Sequence, residues 1–167
     1  AATAGGAITD SGVLAVTGTT SMTAGAANNI TLDNANNFVG AVSIVSGNNV
    51  ILNDTGAIDL GASTISGTLT ITAAGAISDS GAVAITGASS LTAGAANNIT
   101  LDAANNFGGA VTLVSGNNVT LNDTGAIDLA ASTVSGSLVI TAAGAITDSG
   151  VLAITGTSSL TAGAANN

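Results

Sequence analysis

The fold is decided by a short stretch that returns at a fixed interval. Residues 8–12 read Ile-Thr-Asp-Ser-Gly, residues 77–81 read Ile-Ser-Asp-Ser-Gly, and residues 146–150 read Ile-Thr-Asp-Ser-Gly again. These positions define a 69-residue interval, and a gap-free comparison of residues 8–76 with residues 77–145 gives 53 identities. Such close repetition is typical of one supersecondary unit copied in tandem, in which each copy buries its apolar face against the next.

Each repeat contains ten short apolar segments, about seven residues apart, bounded by Gly, Asn, Asp or Ser. This is the pattern of strands and turns. Ile51 is replaced by Thr120 in the second copy, whereas the flanking Val50 and Leu52 keep aliphatic counterparts. Alternation therefore predicts outward side chains at Thr31 and Asp59, and inward ones at the following positions: Ile30, Leu32, Val50, Leu52, Ile58, Leu60, Leu69 and Ile71.

A second period gives the size of one coil. The triplets Val-Ser-Gly at 45–47, Ile-Ser-Gly at 65–67 and Ile-Thr-Gly at 85–87 follow one another at a 20-residue step. Three strands then make one coil of about 20–21 residues, which predicts an all-β, three-sided parallel β-helix of about eight coils, right-handed by the usual preference of parallel connections. Ten strands do not divide by three, so each repeat should begin one face further round. The alternative is a two-sided β-solenoid with 14-residue coils.

The repeats predict a single solenoid over residues 1–167, made of units 8–76 and 77–145 and a partial unit 146–167. A parallel β-helix leaves unpaired strand edges at both ends, and atypical end repeats usually cover them. Neither end of this sequence is atypical. We therefore expect an excerpt of a longer chain, or segments that stack end to end into a filament.

Composition excludes most chemistry. The chain has no Lys, Arg, His, Cys, Pro, Trp, Tyr, Glu or Gln, and its nine Asp give a net charge of -9. General acid–base and nucleophilic catalysis usually draw on residues missing here, so we expect no enzyme, no catalytic residue and no cofactor. Without cations the chain should not bind nucleic acid. No apolar run is long enough to span a bilayer, so we expect no membrane insertion.

Several motifs resemble a known family. Residues 90–101 read Ser-Leu-Thr-Ala-Gly-Ala-Ala-Asn-Asn-Ile-Thr-Leu, residues 116–121 read Gly-Asn-Asn-Val-Thr-Leu, and residues 136–146 read Gly-Ser-Leu-Val-Ile-Thr-Ala-Ala-Gly-Ala-Ile. They resemble the repeats of filamentous haemagglutinin-like bacterial exoproteins and giant surface adhesins. That resemblance implies a right-handed β-helical shaft secreted to the outer surface of Gram-negative-type cells.

Two kinds of polar position are candidate sites. Asp59 and Asp79, and likewise Asp128 and Asp148, are separated by the same 20-residue step and could face each other on adjacent coils. A calcium ion would relieve their repulsion, but surface carboxylates that keep the rod soluble are the simpler interpretation. The Asn-Asn pairs are interpreted as turns with left-handed backbone and as hydrogen-bonded ladders rather than as a glycan site; they lie at 28–29, 36–37, 48–49, 97–98, 105–106 and 117–118.

Two further patterns are interpreted as incidental. Asn-x-Thr sequons arise easily in a chain rich in Asn and Thr, and we predict no glycosylation at Asn29, Asn53, Asn98, Asn118 or Asn122. The residues Thr68, Thr70 and Thr72 could begin an ice-binding array. The second copy reads Ser137, Val139 and Thr141, and Thr is not expected to recur at the 20-residue step, so the sequence favours no such array.

The function predicted from the sequence is structural: an extracellular fibre or cell-surface shaft of a bacterium, whose partners are its own coils and other cells or surfaces. The alternative is an adhesin whose β-helix surface itself binds carbohydrate or a partner cell. An exposed aromatic stripe would favour that alternative, but the strand alternation places Phe38 and Phe107 at inward positions.

Overall fold

The computed structural model describes residues 1–163, and this part of the chain consists of short strands and turns with no helix. The 22 strands are β1 (Ala2–Thr3), β2 (Ile8–Thr9), β3 (Ala15–Val16), β4 (Thr20–Thr23), β5 (Ile30–Phe38), β6 (Val42–Ser46), β7 (Val50–Asp54), β8 (Ile58–Leu60), β9 (Ser63–Ile65), β10 (Leu69–Ala73), β11 (Ile77–Asp79), β12 (Val83–Ile85), β13 (Ser89–Thr92), β14 (Ile99–Phe107), β15 (Val111–Ser115), β16 (Val119–Asp123), β17 (Ile127–Leu129), β18 (Ser132–Val134), β19 (Leu138–Ala142), β20 (Ile146–Asp148), β21 (Leu152–Ile154) and β22 (Ser158–Ala162).

The strands stack in parallel on three faces, which confirms the predicted β-helix. Face 1 holds β2, the start of β5, β7, β10, β13, β15, β18 and β21. Face 2 holds β3 and the end of β5, followed by β8, β11, the start of β14, β16, β19 and β22. Face 3 holds β1, β4, β6, β9, β12 and the end of β14, followed by β17 and β20.

The coil has the predicted size. The step between partners on adjacent coils ranges from an 18-residue one, at Gly47↔Ile65, to a 23-residue one, at Thr23↔Ser46. These steps fit the predicted coil and not the 14-residue alternative. The described part of the chain makes about eight coils. The handedness stays a prediction.

Each repeat begins one face further round than the previous one. The equivalent strands β4, β13 and β22 follow one another at the 69-residue interval and lie on faces 3, 1 and 2. The surface of one repeat therefore reappears on the next face of the solenoid in the following repeat.

A single apolar core runs along the axis, from Met22 through Ala142. All the residues predicted to point inward are buried, and Thr31 and Asp59 lie half-buried on the outer surface. Phe38 and Phe107 are also buried, as their core phase predicts. The backbone ladders and this core position the polar side chains of the solenoid. Residues 1–163 contain no helix that could cross a membrane.

Candidate functional site

Each repeat has one place where the stacking of a face is interrupted, which we call the register break. It is formed by Asn36, Phe38, Asp54 and Ser63 in the first repeat, and by Asn105, Phe107, Asp123 and Ser132 in the second. Up to Leu32↔Leu52 the partners follow a 20-residue step, but the next pair, Asn36↔Asp54, follows an 18-residue step. Because the step is two residues shorter, no strand of the next coil pairs with the backbone at Phe38. The backbone N–H group there needs another hydrogen-bond acceptor.

Asp54 supplies the missing acceptor. It is 1% exposed, and its Oδ2 accepts the N–H of Phe38 at 3.1 Å while its Oδ1 accepts the N–H of Gly56 at 2.7 Å. In the second repeat the Asp123 Oδ2 accepts the N–H of Phe107 at 3.4 Å. A carboxylate can accept several such bonds, so one buried side chain ends a face and shapes the turn that follows.

A serine hydroxyl has the complementary role on the next face. The Ser63 Oγ accepts the N–H of Ile44 at 2.9 Å and donates to the carbonyl oxygen of Gly61 at 2.8 Å. Ser132 repeats both contacts in the second copy, with Leu113 and Ala130. The hydroxyl thus takes the place of a backbone carbonyl where β9 and β18 begin.

A buried amide completes the break. The Asn36 Oδ1 accepts the N–H of Leu14 at 2.8 Å, and its Nδ2 donates to the Asp10 Oδ2 at 2.7 Å. Asn105 makes the equivalent bonds to the N–H of Val83 at 2.8 Å and to the Asp79 Oδ2 at 2.6 Å. Because both asparagines are fully buried, losing either partner would leave a desolvated polar group unpaired.

Two carboxyls of this network have shifted pKa values, in opposite directions. Burial raises the pKa of Asp123, and the hydrogen bonds from Gly125 and Phe107 only partly offset that effect. Burial alone would also raise the pKa of Asp10, but the hydrogen bonds from Asn36 and Asn34 outweigh it and lower the pKa below its ordinary value. The chain has no cationic side chain to pair with either carboxylate, so hydrogen bonds alone stabilise the charge.

The predicted Asp pairs are not placed opposite each other. Asp59 pairs with Ser78, and Asp79 pairs with Leu60. Asp128 and Asp148 are displaced in the same way, since Asp128 pairs with Thr147. The coils are joined here by a 19-residue step instead of the expected 20-residue one, which shifts each carboxylate by one position. Among residues 1–163 no group of three acidic side chains could hold a metal ion. The calcium hypothesis therefore lacks the geometry on which it was based.

The Asn-Asn pairs at 28–29, 48–49, 97–98 and 117–118 form the predicted ladders along the axis. For the pairs at 36–37 and 105–106 the prediction of turns was wrong, because they lie inside β5 and β14, where Asn36 and Asn105 are buried. The Asn29 Oδ1 accepts the N–H of Asn49 at 3.2 Å, and the Asn49 Oδ1 accepts the N–H of Thr68 at 3.0 Å. Left-handed backbone at Asn was a wrong expectation: in the described residues only Gly25 and Gly94 have a positive φ, at 89° and 83°. Glycine adopts this conformation without the steric cost that Asn would have.

Asn29, Asn98 and Asn118, three of the sequon residues, are exposed. Their amide oxygens accept backbone N–H groups of the adjacent coil. The absence of glycosylation stays a prediction.

A cavity of about 610 Å³ opens at the first coil and is lined by Ile8, Leu14, Val16, Met22 and neighbouring residues. The counterparts of these residues in the second repeat are Ile77, Val83, Ile85 and Leu91, which are at most 3% exposed between adjacent coils. Much of the lining thus corresponds to the apolar interior of the solenoid, and Asp10 and Thr20 add polar groups to it.

The register break was missed in the sequence, although one signal pointed to it. Asp54 follows Leu52 by two residues and therefore falls in the inward phase, where a charged residue is unexpected. The same holds for Asp123 after Leu121. A polar residue that keeps an inward position in both repeats indicates a structural hydrogen bond.

One family model matches the chain, described as repeats of unknown function (DUF5649), over residues 1–45, 47–114 and 116–166. The two boundaries between the matched segments, at residues 46 and 115, are separated by the same 69-residue interval as the repeats in the sequence. No curated protein and no solved structure matches the chain. The chain belongs to the DUF5649 family of repeats.

Proposed function

We propose that this repeat region is the shaft of a secreted or cell-surface bacterial fibre, with a structural and not a catalytic role. The observation that carries the proposal is the continuity of the structure: one apolar core and three stacked faces extend through both repeats. A solenoid of this kind lengthens in proportion to its number of repeats. At a strand spacing of about 4.8 Å, one 69-residue repeat adds about 16 Å.

The surface supports the same role. Outward positions carry Thr, Ser, Asn, Asp and small aliphatic residues, and the net charge of -9 opposes clumping of like rods. The chain offers no Lys or Arg for trypsin-like proteases, which suits exposure outside the cell. The resemblance to filamentous haemagglutinin-like exoproteins supports the extracellular location. A shaft that itself binds carbohydrate has less support, because both aromatic residues of the chain are buried.

Two measurements test the proposal. Antibodies raised against the chain should label intact cells of the source bacterium, and labelling only after permeabilisation would contradict the extracellular role. Chains of two, four and six repeats, viewed by negative-stain electron microscopy, should form rods that lengthen by about 16 Å per repeat. Compact particles whose length does not follow the repeat number would contradict the shaft.

A further inference from the structure

The outer surface of face 1 carries two columns of hydroxyl-bearing side chains that the sequence did not predict. Thr70 pairs with Ser90, and Thr72 pairs with Thr92, both at a 20-residue step. The expectation that Thr does not recur at this step was therefore wrong. We call this surface the hydroxyl face. Its first column is Thr31, Ile51, Thr70, Ser90 and Thr112, and its second column is Asn53, Thr72, Thr92 and Ser115.

The hydroxyls of this face are free to bind something else. No hydrogen bond joins the hydroxyls of Thr31, Thr70, Thr72, Ser90, Thr92 and Thr112 to another group within residues 1–163. The backbone beneath them is held in the ladders of β5, β7, β10, β13 and β15. From β5 to β13 the side chains are therefore spaced at about 4.8 Å across the strands and about 6.6 Å along them. The register of β13 with β15 shifts after Leu91, which displaces Ser115 from this spacing.

The face is electrically neutral although the chain has a net charge of -9. None of its nine residues is charged. The exposed Asp33 borders the face, since its backbone carbonyl oxygen accepts a hydrogen bond from the Asn53 Nδ2 at 3.1 Å. Asp54, next to Asn53 in the sequence, is buried. The aliphatic member, Ile51, is β-branched and presents a methyl group where Thr presents one. A cation or a basic peptide would be attracted to the carboxylates of the chain instead, and the surface offers no aromatic ring on which a sugar could stack.

A second copy of the array lies on face 2, because each repeat advances one face. Thr100 pairs with Thr120, and Thr141 pairs with Thr161. The position equivalent to Thr70 is Val139, which is 39% exposed and again β-branched. On the preceding coils the column of Thr100 continues through Ser78 to Asp59, so the uncharged lattice of hydroxyl and methyl groups on this face begins at Ser78.

We propose that the hydroxyl face binds ice. A ligand that matches this face must be neutral and must offer hydrogen-bonding groups that repeat in two dimensions, at intervals similar to those between the side chains. The surface of an ice crystal has these properties. The fixed hydroxyls hold first-layer waters in place while the methyl groups between them exclude others. Adsorption of the rod to an ice surface goes beyond its role as a shaft and does not depend on it.

Uptake of the purified 167-residue chain into slowly growing ice tests the proposal, with thermal hysteresis as a second readout. The chain is expected to concentrate in the ice and to shape crystals. The variant Thr70→Tyr/Thr92→Tyr/Thr120→Tyr/Thr141→Tyr, which disrupts both copies of the face, should be excluded from ice like an inert protein of equal size.

The matched control is Thr64→Tyr. Thr64 is an exposed residue of β9 on face 3, and its neighbour on the next coil is Ala84, so it lies outside the hydroxyl face. This control should enter ice like the unmodified chain, and circular dichroism should show all three proteins equally folded. Exclusion of the unmodified chain from ice, uptake of the fourfold variant, or equal loss in the control would each overturn the proposal.

Discussion

A continuous ladder and the register break use the same chain in different ways. Between β7 and β10, five successive residues pair through the backbone, from Val50↔Leu69 to Asp54↔Ala73. Outward side chains on these strands vary between repeats: Ile51 becomes Thr120, and Thr70 becomes Val139. At the register break no such variation occurs, since Asn36, Asp54 and Ser63 reappear unchanged as Asn105, Asp123 and Ser132.

Side-chain identity therefore matters at the register break and much less on a continuous ladder. On a ladder, the backbone makes the hydrogen bonds, so an outward side chain needs only to suit a pleated surface. At the break, three side chains accept N–H groups that no carbonyl reaches. Such groups are costly to leave unpaired. The break occurs on face 2 in the first repeat and on face 3 in the second. Its position is therefore set by the local residues and does not depend on which face they occupy.

The largest effect should come from the ladder core. Leu121 is fully buried in β16 between two coils, and Leu121→Ala leaves a cavity there. We expect the free energy of unfolding to fall by about 3 kcal/mol, measured by urea denaturation. The control is Val139→Ala, an outward residue of the adjacent strand β19, which should change it by less than about 0.5 kcal/mol. Equal losses in the two variants would contradict the assignment of inward and outward positions.

The next effect is at the register break. Asp123→Ala removes the acceptor of two N–H groups, those of Phe107 and Gly125. We expect the free energy of unfolding to fall by about 2 kcal/mol and the amide of Phe107 to exchange faster. The loss is moderated because the variant also avoids the cost of burying the carboxylate. The control Asp128→Ala removes an outward carboxylate that accepts only surface hydroxyls and should be nearly neutral. If both variants lose the same stability, Asp123 has no special role.

A smaller loss is expected at the amide. Asn105→Ala leaves the N–H of Val83 without its side-chain acceptor and should cost about 1 kcal/mol. Asn106→Ala, at the exposed neighbouring position, serves as the control. Calorimetry that ranks Asn106 as the more important residue would contradict the network described here.

The smallest effects are those of pH, and their signs differ within the network. The raised pKa of Asp123 means that the folded state binds the proton more tightly, so its contribution is complete at low pH and is lost as the pH rises through the folded pKa. The lowered pKa of Asp10 acts in reverse: its contribution is present above the ordinary Asp pKa and is lost as the pH falls through the folded value.

The variants Asp123→Asn and Asp10→Asn carry the same net charge. Each removes the pH-dependent contribution of one carboxyl group to the stability. As the pH falls from neutral towards the acidic range in which Asp titrates, the unmodified chain should gain stability relative to Asp123→Asn and lose it relative to Asp10→Asn. Denaturation curves at several pH values measure both differences. Parallel pH profiles for the two variants would contradict the opposite shifts.

Much of this architecture could be read from the sequence. The 69-residue repeat and the 20-residue step between triplets predicted the coil, its three faces and the advance of one face per repeat, because regular backbone pairing follows regular spacing. The features that the sequence did not predict correctly depend on local deviations from that spacing. A 19-residue step displaced Asp59 from Asp79, and the 18-residue step between Asn36 and Asp54 produced the register break. An average step cannot reveal either deviation.

The most direct test of the register break is a through-hydrogen-bond scalar coupling, measured by NMR on the isotope-labelled chain. The backbone nitrogen of Phe38 should couple to the side-chain carboxyl carbon of Asp54, whose Oδ2 lies 3.1 Å away. On the adjacent continuous ladder, the nitrogen of Val50 should couple to the backbone carbonyl carbon of Thr68. A coupling from Phe38 to a backbone carbonyl would show an unbroken face and would contradict the account.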